Sequence, residues 1–171
     1  MIVIVMGVSG CGKSSVGQAI ARQTGWPFIE GDDLHSNANR AKMTSGTPLN
    51  DDDRWPWLDA LADAARTIDA NGGSVVIACS ALKQVYRERL ARAGNNVKFI
   101  HLSGDGATIL KRMQARPNHY MPPGLLDSQL ATLESPVNAE NAYTFDITMP
   151  VEEIANQVVD VLNKQLPARS A

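Results

Sequence analysis

The sequence predicts a three-layer α/β/α protein built on a parallel sheet. Apolar runs of strand length alternate with helical stretches, and these runs occupy residues 2–6, 27–29, 75–79, 97–102 and about 145–147. A glycine-rich segment joins the first run to a helix. Alternating strands and helices form parallel sheets through right-handed crossovers, with helices on both faces and ligand sites at the carboxyl ends of the strands.

Apolar residues with helical spacing identify the clearest helices, at residues 57–68 and 151–162. Each has one apolar face for packing on a sheet. Two polar or proline-rich regions interrupt the alternation, at about 35–53 and about 112–134. Loops of this length are more often functional than accidental, so we expect a substrate-binding region in the first and a mobile lid in the second.

The totals indicate one globular domain spanning residues 1–171, because 44% of the residues are hydrophobic and 20% are charged. A net charge of -2 gives no broad basic field, which disfavours a nucleic-acid partner and favours a small molecule. The apolar start is too short to span a bilayer, so we expect a first strand and a cytoplasmic protein. Cys11 and Cys79 have no metal-ligand spacing and are expected to be reduced packing residues.

A phosphate-binding loop follows the first strand and matches the pattern G-x-x-x-x-G-K-[ST]. Its glycines allow backbone N–H groups to surround phosphates at a helix N-terminus. Lys13 is expected to reach the β- and γ-phosphates and to act in catalysis, and Ser14 to offer its hydroxyl to Mg²⁺. The alternative is a glycine-rich turn without a ligand. The predicted ATP-binding residues here are Gly7, Val8, Ser9, Gly10, Cys11, Gly12, Lys13, Ser14 and Ser15.

Two carboxylates follow the second strand, and their spacing as Glu30 and Asp32 points them the same way on an extended chain. The third strand lacks the terminal aspartate that would otherwise hold the metal ion, so Glu30 is expected to hold Mg²⁺ through water. Asp32 is expected to be the catalytic base that accepts the proton of an attacking hydroxyl. Asp33 should face away.

Basic residues follow the third strand as Lys83 and Arg87, and precede the proline-rich region as Arg112 and Arg116. Arg112 and Arg116 share a helix face and are predicted to bind ATP phosphates, with Arg116 also catalytic. A solvated helix face is the alternative for either arginine. The acids at 51–53 open a helix, where capping explains Asp52, while Asp51 and Asp53 could bind substrate hydroxyls. His35 is a candidate hydroxyl partner, and His101 should be structural.

A longer pattern resembles the gluconate kinase (gluconokinase) family and covers nearly the whole chain. It begins at Gly31-Asp32-x-Leu34-His35 and passes through Lys42, Gly46, Pro48 and Leu49 to Asp53-Arg54-x-Pro56-Trp57-Leu58. It continues with Cys79-Ser80-Ala81-Leu82-Lys83-x-x-Tyr86-Arg87, then Arg112, Arg116, His119, Ser128-Gln129, Leu133-Glu134 and Pro136.

The resemblance implies that the γ-phosphoryl group of ATP, bound with Mg²⁺, is transferred to the 6-hydroxyl of D-gluconate. It also implies a P-loop kinase fold with a five-stranded parallel sheet, related to shikimate and nucleoside monophosphate kinases, and a homodimer. The substrate-binding residues that it implies are Asp32, His35, Lys42, Arg54, Lys83, Arg87 and His119.

Other functions remain open at this point. A related kinase of another small acceptor, such as shikimate, is one alternative, although that family has a glycine-rich turn where this chain has Cys79-Ser80-Ala81. An ATP-binding regulatory module is another, and it would bind ATP without acceptor-stimulated turnover.

Overall fold

The computed structural model describes residues 1–115 and 125–165. Its sheet has five parallel strands in the order β2-β3-β1-β4-β5. The strands are β1 Ile2–Met6, β2 Phe28–Glu30, β3 Val75–Ala78, β4 Val97–Ser103 and β5 Ala142–Asp146. The central strand β1 pairs Val3 with Val76 on one side and with Lys98 on the other. The predicted parallel α/β architecture is confirmed.

Helices connect the strands, and a 3-10 helix at Gly31–Leu34 follows β2. The α-helices are α1 Lys13–Thr24, α2 Asn37–Thr44, α3 Asp51–Ala70, α4 Gln84–Ala91, α5 Gly106–Gln114, α6 Leu125–Thr132 and α7 Val151–Asn163. No helix in the described parts of the chain is long and apolar enough to cross a membrane.

Alternate residues of β1 pack into two hydrophobic clusters on opposite faces of the sheet. Val3 and Val5 contact the cluster that contains residues of α1 and α7, while Ile2, Ile4 and Met6 contact residues of α3 and α4. Both faces are buried because a parallel sheet is covered by its own crossover helices. This packing leaves the carboxyl ends of β1, β2 and β3 to carry the loops of the site.

Several elements differ from the sequence-based predictions, and the helix predicted at 57–68 extends from Asp51 to Ala70. The last strand begins at Ala142 and ends at Asp146, whereas its predicted range was about 145–147, because the exposed Thr144 interrupts the apolar pattern of its first half. Region 35–53 contains α2, which has a weak apolar signal since only Asn39 and Met43 are buried. Asp32 lies in the 3-10 helix rather than on an extended continuation of β2.

The N-terminus of α3 is closed by a capping box. The Asn50 side chain accepts a hydrogen bond of 2.8 Å from the Asp53 backbone N–H, and the Asp53 carboxylate accepts one of 3.0 Å from the Asn50 N–H. A reciprocal cap of this kind satisfies N–H groups that have no partner within the helix. Asp53, rather than Asp52, therefore makes the capping contact.

Candidate active site

The phosphate loop connects β1 to α1 with glycines in left-handed conformations. Gly7, Gly10 and Gly12 have φ angles of 136°, 81° and 104°. A Cβ added to Gly7 would lie 2.8 Å from the Leu102 carbonyl oxygen, so the close approach of β4 also requires glycine. The predicted strand, loop and helix are all present, with α1 beginning at Lys13.

Two donors of this loop, the Lys13 ammonium and the Ser9 N–H, form hydrogen bonds within the protein. The Lys13 ammonium donates a hydrogen bond of 2.9 Å to the Val8 carbonyl oxygen, and the Ser9 backbone N–H donates one of 2.6 Å to the side-chain oxygen of Gln129. Cys11 is buried, and burial raises the pKa of its thiol. Cys11 therefore contributes packing and backbone to the loop, as the sequence indicated.

Glu30 and Ser14, the two predicted Mg²⁺ residues, lie together. Burial raises the pKa of the Glu30 carboxyl, and a hydrogen bond from the Ser14 side chain opposes this rise. The Asp32 charge raises the Glu30 pKa further, whereas Lys13 lowers it. A partly buried carboxylate next to a hydroxyl fits Mg²⁺, which takes oxygen ligands and retains several waters. The described residues contain no cluster of three acidic, histidine or cysteine ligands.

The 3-10 helix that carries Asp32 is fixed against α3 and β3. The Trp57 indole N–H donates a hydrogen bond of 2.7 Å to the Gly31 carbonyl oxygen. A Cβ on Gly31 would lie only 2.2 Å from the Ala78 carbonyl oxygen, so no larger residue fits there. His35 stacks on the Trp57 ring, with centroids 4.1 Å apart. Trp57 thus positions both Asp32 and His35, although its sequence pattern predicted only a core residue.

An acceptor pocket opens beside the phosphate loop, and several elements line it. Asp32 and His35 come from the 3-10 helix, and Arg54 and Trp57 from α3. The remaining lining residues are Ser9, Lys13, Met43, Pro48, Leu49, Ser80, Ser128, Gln129 and Thr132. Because Lys13 and Ser9 belong to both the pocket and the loop, a bound acceptor would lie next to the phosphates. The pocket lies where parallel sheets bind ligands, at the carboxyl ends of their strands.

The His35 imidazole is kept neutral in this pocket. Burial lowers its pKa from 6.5 to about 4, although the Asp32 charge opposes that shift. The Arg54 charge lowers the pKa as well, so His35 is close enough to respond to both residues. A neutral imidazole can donate and accept hydrogen bonds, which suits recognition of a hydroxyl.

The three cations around the pocket differ in their partners. Lys42 forms an ion pair of 2.6 Å with Asp53, and Lys83 forms one of 2.8 Å with Asp51. The Tyr86 hydroxyl also donates to Asp51. Arg54 has no carboxylate partner among residues 1–115 and 125–165, and it alone of the three lines the pocket.

Arg87 lies outside the acceptor pocket. Its guanidinium is buried and donates hydrogen bonds of 3.1 Å to the carbonyl oxygens of Ala81 and Leu82. It lines a different groove, together with Phe99 and Ala142. Its placement accordingly supports a role in fixing the segment after β3, and substrate binding by Arg87 stays a prediction without geometric support.

Arg112 lies by a second groove on the nucleotide side of the loop. The groove has a volume of about 500 Å³ and is lined by Cys11, Gly12, Ser15, Arg112 and residues 147–151, among others. Arg112 donates a hydrogen bond of 2.6 Å to the Ile147 carbonyl oxygen. A groove of this size can hold a small ligand, and its position suits the nucleoside part of ATP. The other two predicted residues, Arg116 and His119, lie outside the described residues.

Sequence reasoning did not assign roles to the α6 residues of the pocket, namely Ser128, Gln129 and Thr132. Ser128 and Gln129 carried a signal only as part of the family resemblance. Ser80, Met43, Pro48 and Leu49 were likewise given no role, because a single residue in such a pattern does not indicate what it contacts.

Comparison with known proteins identifies the relatives of this chain. A family model described as an AAA domain matches residues 2–136. A probable gluconokinase of Rattus norvegicus is 44% identical, and the match covers 94% of this chain and 97% of the relative. The thermoresistant gluconokinase of Escherichia coli K12 is 42% identical, with 95% and 94% covered. The chain belongs to the gluconokinase family.

A solved structure supports the same membership. The crystal structure of a gluconokinase from Sinorhizobium meliloti 1021 superposes with a TM-score of 0.84 at 42% identity, covering 96% of this chain and 97% of that one. The gluconokinase family that the sequence pattern indicated is therefore confirmed. Membership in the gluconokinase family also argues against the alternative acceptors, since the similarity extends over nearly the whole chain.

Proposed function

We propose that the protein transfers the γ-phosphoryl group of ATP to the 6-hydroxyl of D-gluconate, giving 6-phospho-D-gluconate and ADP. The observation that carries the proposal is the acceptor pocket, which shares Lys13 and Ser9 with the phosphate loop and also contains Asp32 and Arg54. Arg54 donates a hydrogen bond of 2.5 Å to the Leu49 carbonyl oxygen but has no carboxylate partner among the described residues. Gluconate matches this pocket because it has one carboxylate and several hydroxyl groups. Names of relatives at 42% and 44% identity support the same reaction.

ATP would bind through the loop residues 7–15. Lys13 would leave the Val8 carbonyl oxygen, 2.9 Å away, for the β- and γ-phosphates, since an anion is a stronger acceptor for an ammonium group than a neutral carbonyl. The nucleoside would occupy the groove beside Arg112. Ser14 and, through water, Glu30 would hold Mg²⁺, which neutralises phosphate charge when bound. Arg116 is proposed to neutralise charge in the transition state.

Asp32 would accept the proton of the 6-hydroxyl as its oxygen attacks the γ-phosphorus. The new P–O bond forms as the bond to the bridging oxygen of ADP breaks, and the electron pair leaves on ADP. Such transfers depend on positioning and on charge neutralisation. The contacts of Trp57 with Gly31 and His35 supply that positioning.

Arg54 would bind the gluconate carboxylate, and His35 a hydroxyl group. Lys42 and Lys83 have Asp53 and Asp51 as partners, so their contribution to substrate binding would be indirect. His119 remains a proposed substrate residue.

We also propose that residues 1–171 form one kinase domain, with residues 112–134 as its lid. Two copies of the chain would form a homodimer, and sedimentation velocity would measure this oligomeric state.

The experiment is a coupled assay of ADP release with ATP and Mg²⁺. Gluconate, glucose, shikimate and nucleoside monophosphates are compared as acceptors, and the product is located by phosphorus NMR. We expect turnover with gluconate and a phosphate ester at carbon 6. Equal rates with the other acceptors would contradict the proposal. ATP binding without acceptor-stimulated ADP release would instead indicate a regulatory module.

A further inference from the structure

One contact joins the phosphate loop to the α6 wall of the acceptor pocket. The Ser9 backbone N–H donates a hydrogen bond of 2.6 Å to the Gln129 side-chain oxygen, across 120 residues of sequence. Both residues line the acceptor pocket. Neither the resemblance nor the catalytic scheme gives Gln129 a role.

Helix α6, which lies within the proposed lid region, packs against the protein core in this structure. Leu126 is buried, and Leu130 and Leu133 pack against the same hydrophobic cluster as the phosphate-loop residue Val8. Just after α6, the Glu134 backbone N–H donates a hydrogen bond of 2.9 Å to the Leu82 carbonyl oxygen, beyond the end of β3. The helix therefore carries Ser128, Gln129 and Thr132 as one wall of the pocket.

Ser9 lies at the acceptor end of the loop. It lines the acceptor pocket, whereas Cys11, Gly12 and Ser15 line the nucleotide groove. A phosphoryl group that crosses from nucleotide to acceptor must pass this end. A phosphate oxygen is charged, and it accepts a stronger hydrogen bond from an N–H group than a neutral amide oxygen does.

We propose that Gln129 is a positioning residue that couples the γ-phosphoryl group to the acceptor pocket. Its amide oxygen holds the Ser9 N–H until a γ-phosphoryl oxygen takes that donor, and the exchange adjusts the α6 wall for gluconate. This inference rests on the proposed function, because it assumes that the γ-phosphoryl group crosses at Ser9.

Two variants at Gln129 give opposite expectations for nucleotide binding. Gln129→Ala removes the competitor for the Ser9 N–H, so the ratio of the affinity for the β,γ-imido analogue of ATP to the affinity for ADP should rise. Gln129→Glu keeps an oxygen acceptor and adds a charge that repels the γ-phosphoryl group, so this affinity ratio should fall about tenfold. ADP lacks the γ-phosphoryl group and serves as the internal reference.

Isothermal titration calorimetry without an acceptor measures the ratio of the two nucleotide affinities. Gln157→Ala is the control, because Gln157 is exposed on α7. Movement of the ratio in opposite directions supports the proposal. Ratios that stay within about twofold of the parent in both variants, or that shift in the same direction, would overturn it. Thermal melting checks folding, and Gln129→Glu alone decides if Gln129→Ala does not fold.

Steady-state kinetics tests the effect of Gln129 on the binding of gluconate. Gln129→Ala should raise the KM for gluconate about tenfold, whereas the KM for ATP should not rise, because the Ser9 N–H is then free for the γ-phosphoryl group. An unchanged KM for gluconate would contradict the coupling. Because the calorimetry uses no acceptor, absence of gluconate turnover would refute the proposed function but leave the Ser9 exchange testable.

Discussion

The His35 imidazole lies flat on the Trp57 indole, with ring planes 16° apart and centroids separated by 4.1 Å. Burial lowers the pKa of this imidazole to about 4, because it disfavours the charged imidazolium. The unfolded chain takes up a proton near pH 6.5, whereas the folded protein resists it down to about pH 4. Stability should therefore fall as the pH is lowered through this window.

The first prediction concerns this acid sensitivity. Between pH 7 and pH 5, His35 should account for up to about 2 kcal/mol of the loss in the free energy of unfolding. Urea denaturation of the parent and of His35→Gln at both pH values measures it. Burial also lowers the pKa of His101, so His101→Gln should remove a separate part of the slope of the free energy of unfolding against pH. An unchanged slope in His35→Gln would mean that His35 is protonated normally.

The second prediction tests the proposed base. Asp32→Asn should lower kcat by a factor of about 10² to 10⁴ with ATP affinity retained, because the amide cannot accept the hydroxyl proton. Asp33→Asn is the matched control, since the neighbouring Asp33 is exposed and does not line the pocket. Near-parental kcat in Asp32→Asn would remove Asp32 from this role.

The third prediction separates the cations. Arg54→Met should raise the KM for gluconate about 10- to 100-fold, as expected for loss of a charge-assisted hydrogen bond. Lys42→Met should change the KM by less than about threefold, because Lys42 is paired with Asp53 and does not line the acceptor pocket. Initial rates over a range of gluconate concentrations measure both. Equal effects would show that the ion pair does not decide which cation binds the carboxylate.

The fourth prediction concerns Ala81, which has a left-handed φ of 43° in the segment after β3. This conformation is strained for alanine and relaxed for glycine. Ala81→Gly should therefore raise the free energy of unfolding by about 1 kcal/mol. Loss of the packing of the buried Ala81 methyl group acts in the opposite direction. Ala81→Val should be destabilising. Denaturant titration tests both, and a less stable glycine variant would show that packing outweighs the strain.

The sequence predicted the phosphate loop and β1 most accurately. A loop of fixed length and composition between an apolar strand and a helix leaves little choice of conformation, and β1 begins at Ile2 and ends at Met6 as predicted. The resemblance also included Asp32, His35 and Arg54, which the folded chain brings to one pocket. The edge strand β5 was less accurate, because its exposed side chains weaken the apolar signal.

The partners of the charged residues could not be predicted. Lys42, Arg54 and Lys83 are equivalent as cations in the sequence, and only the folded chain brings Asp53 to Lys42 and Asp51 to Lys83. Arg87 shows the same limit, since its carbonyl partners depend on the turn at Ala81. Gln129 needs α6 to be placed before its contact with Ser9 can be recognised.

The ion pairs of Lys42 with Asp53 and of Lys83 with Asp51 also bear on how the product leaves. The substrate is a monoanion, and phosphorylation adds negative charge to it. Away from the phosphate loop, the described part of the pocket offers that added charge no cation free of a carboxylate partner except Arg54. We therefore expect that, among the described residues, the phosphate loop retains the new phosphate group, and that repulsion between product and ADP at this loop promotes their dissociation.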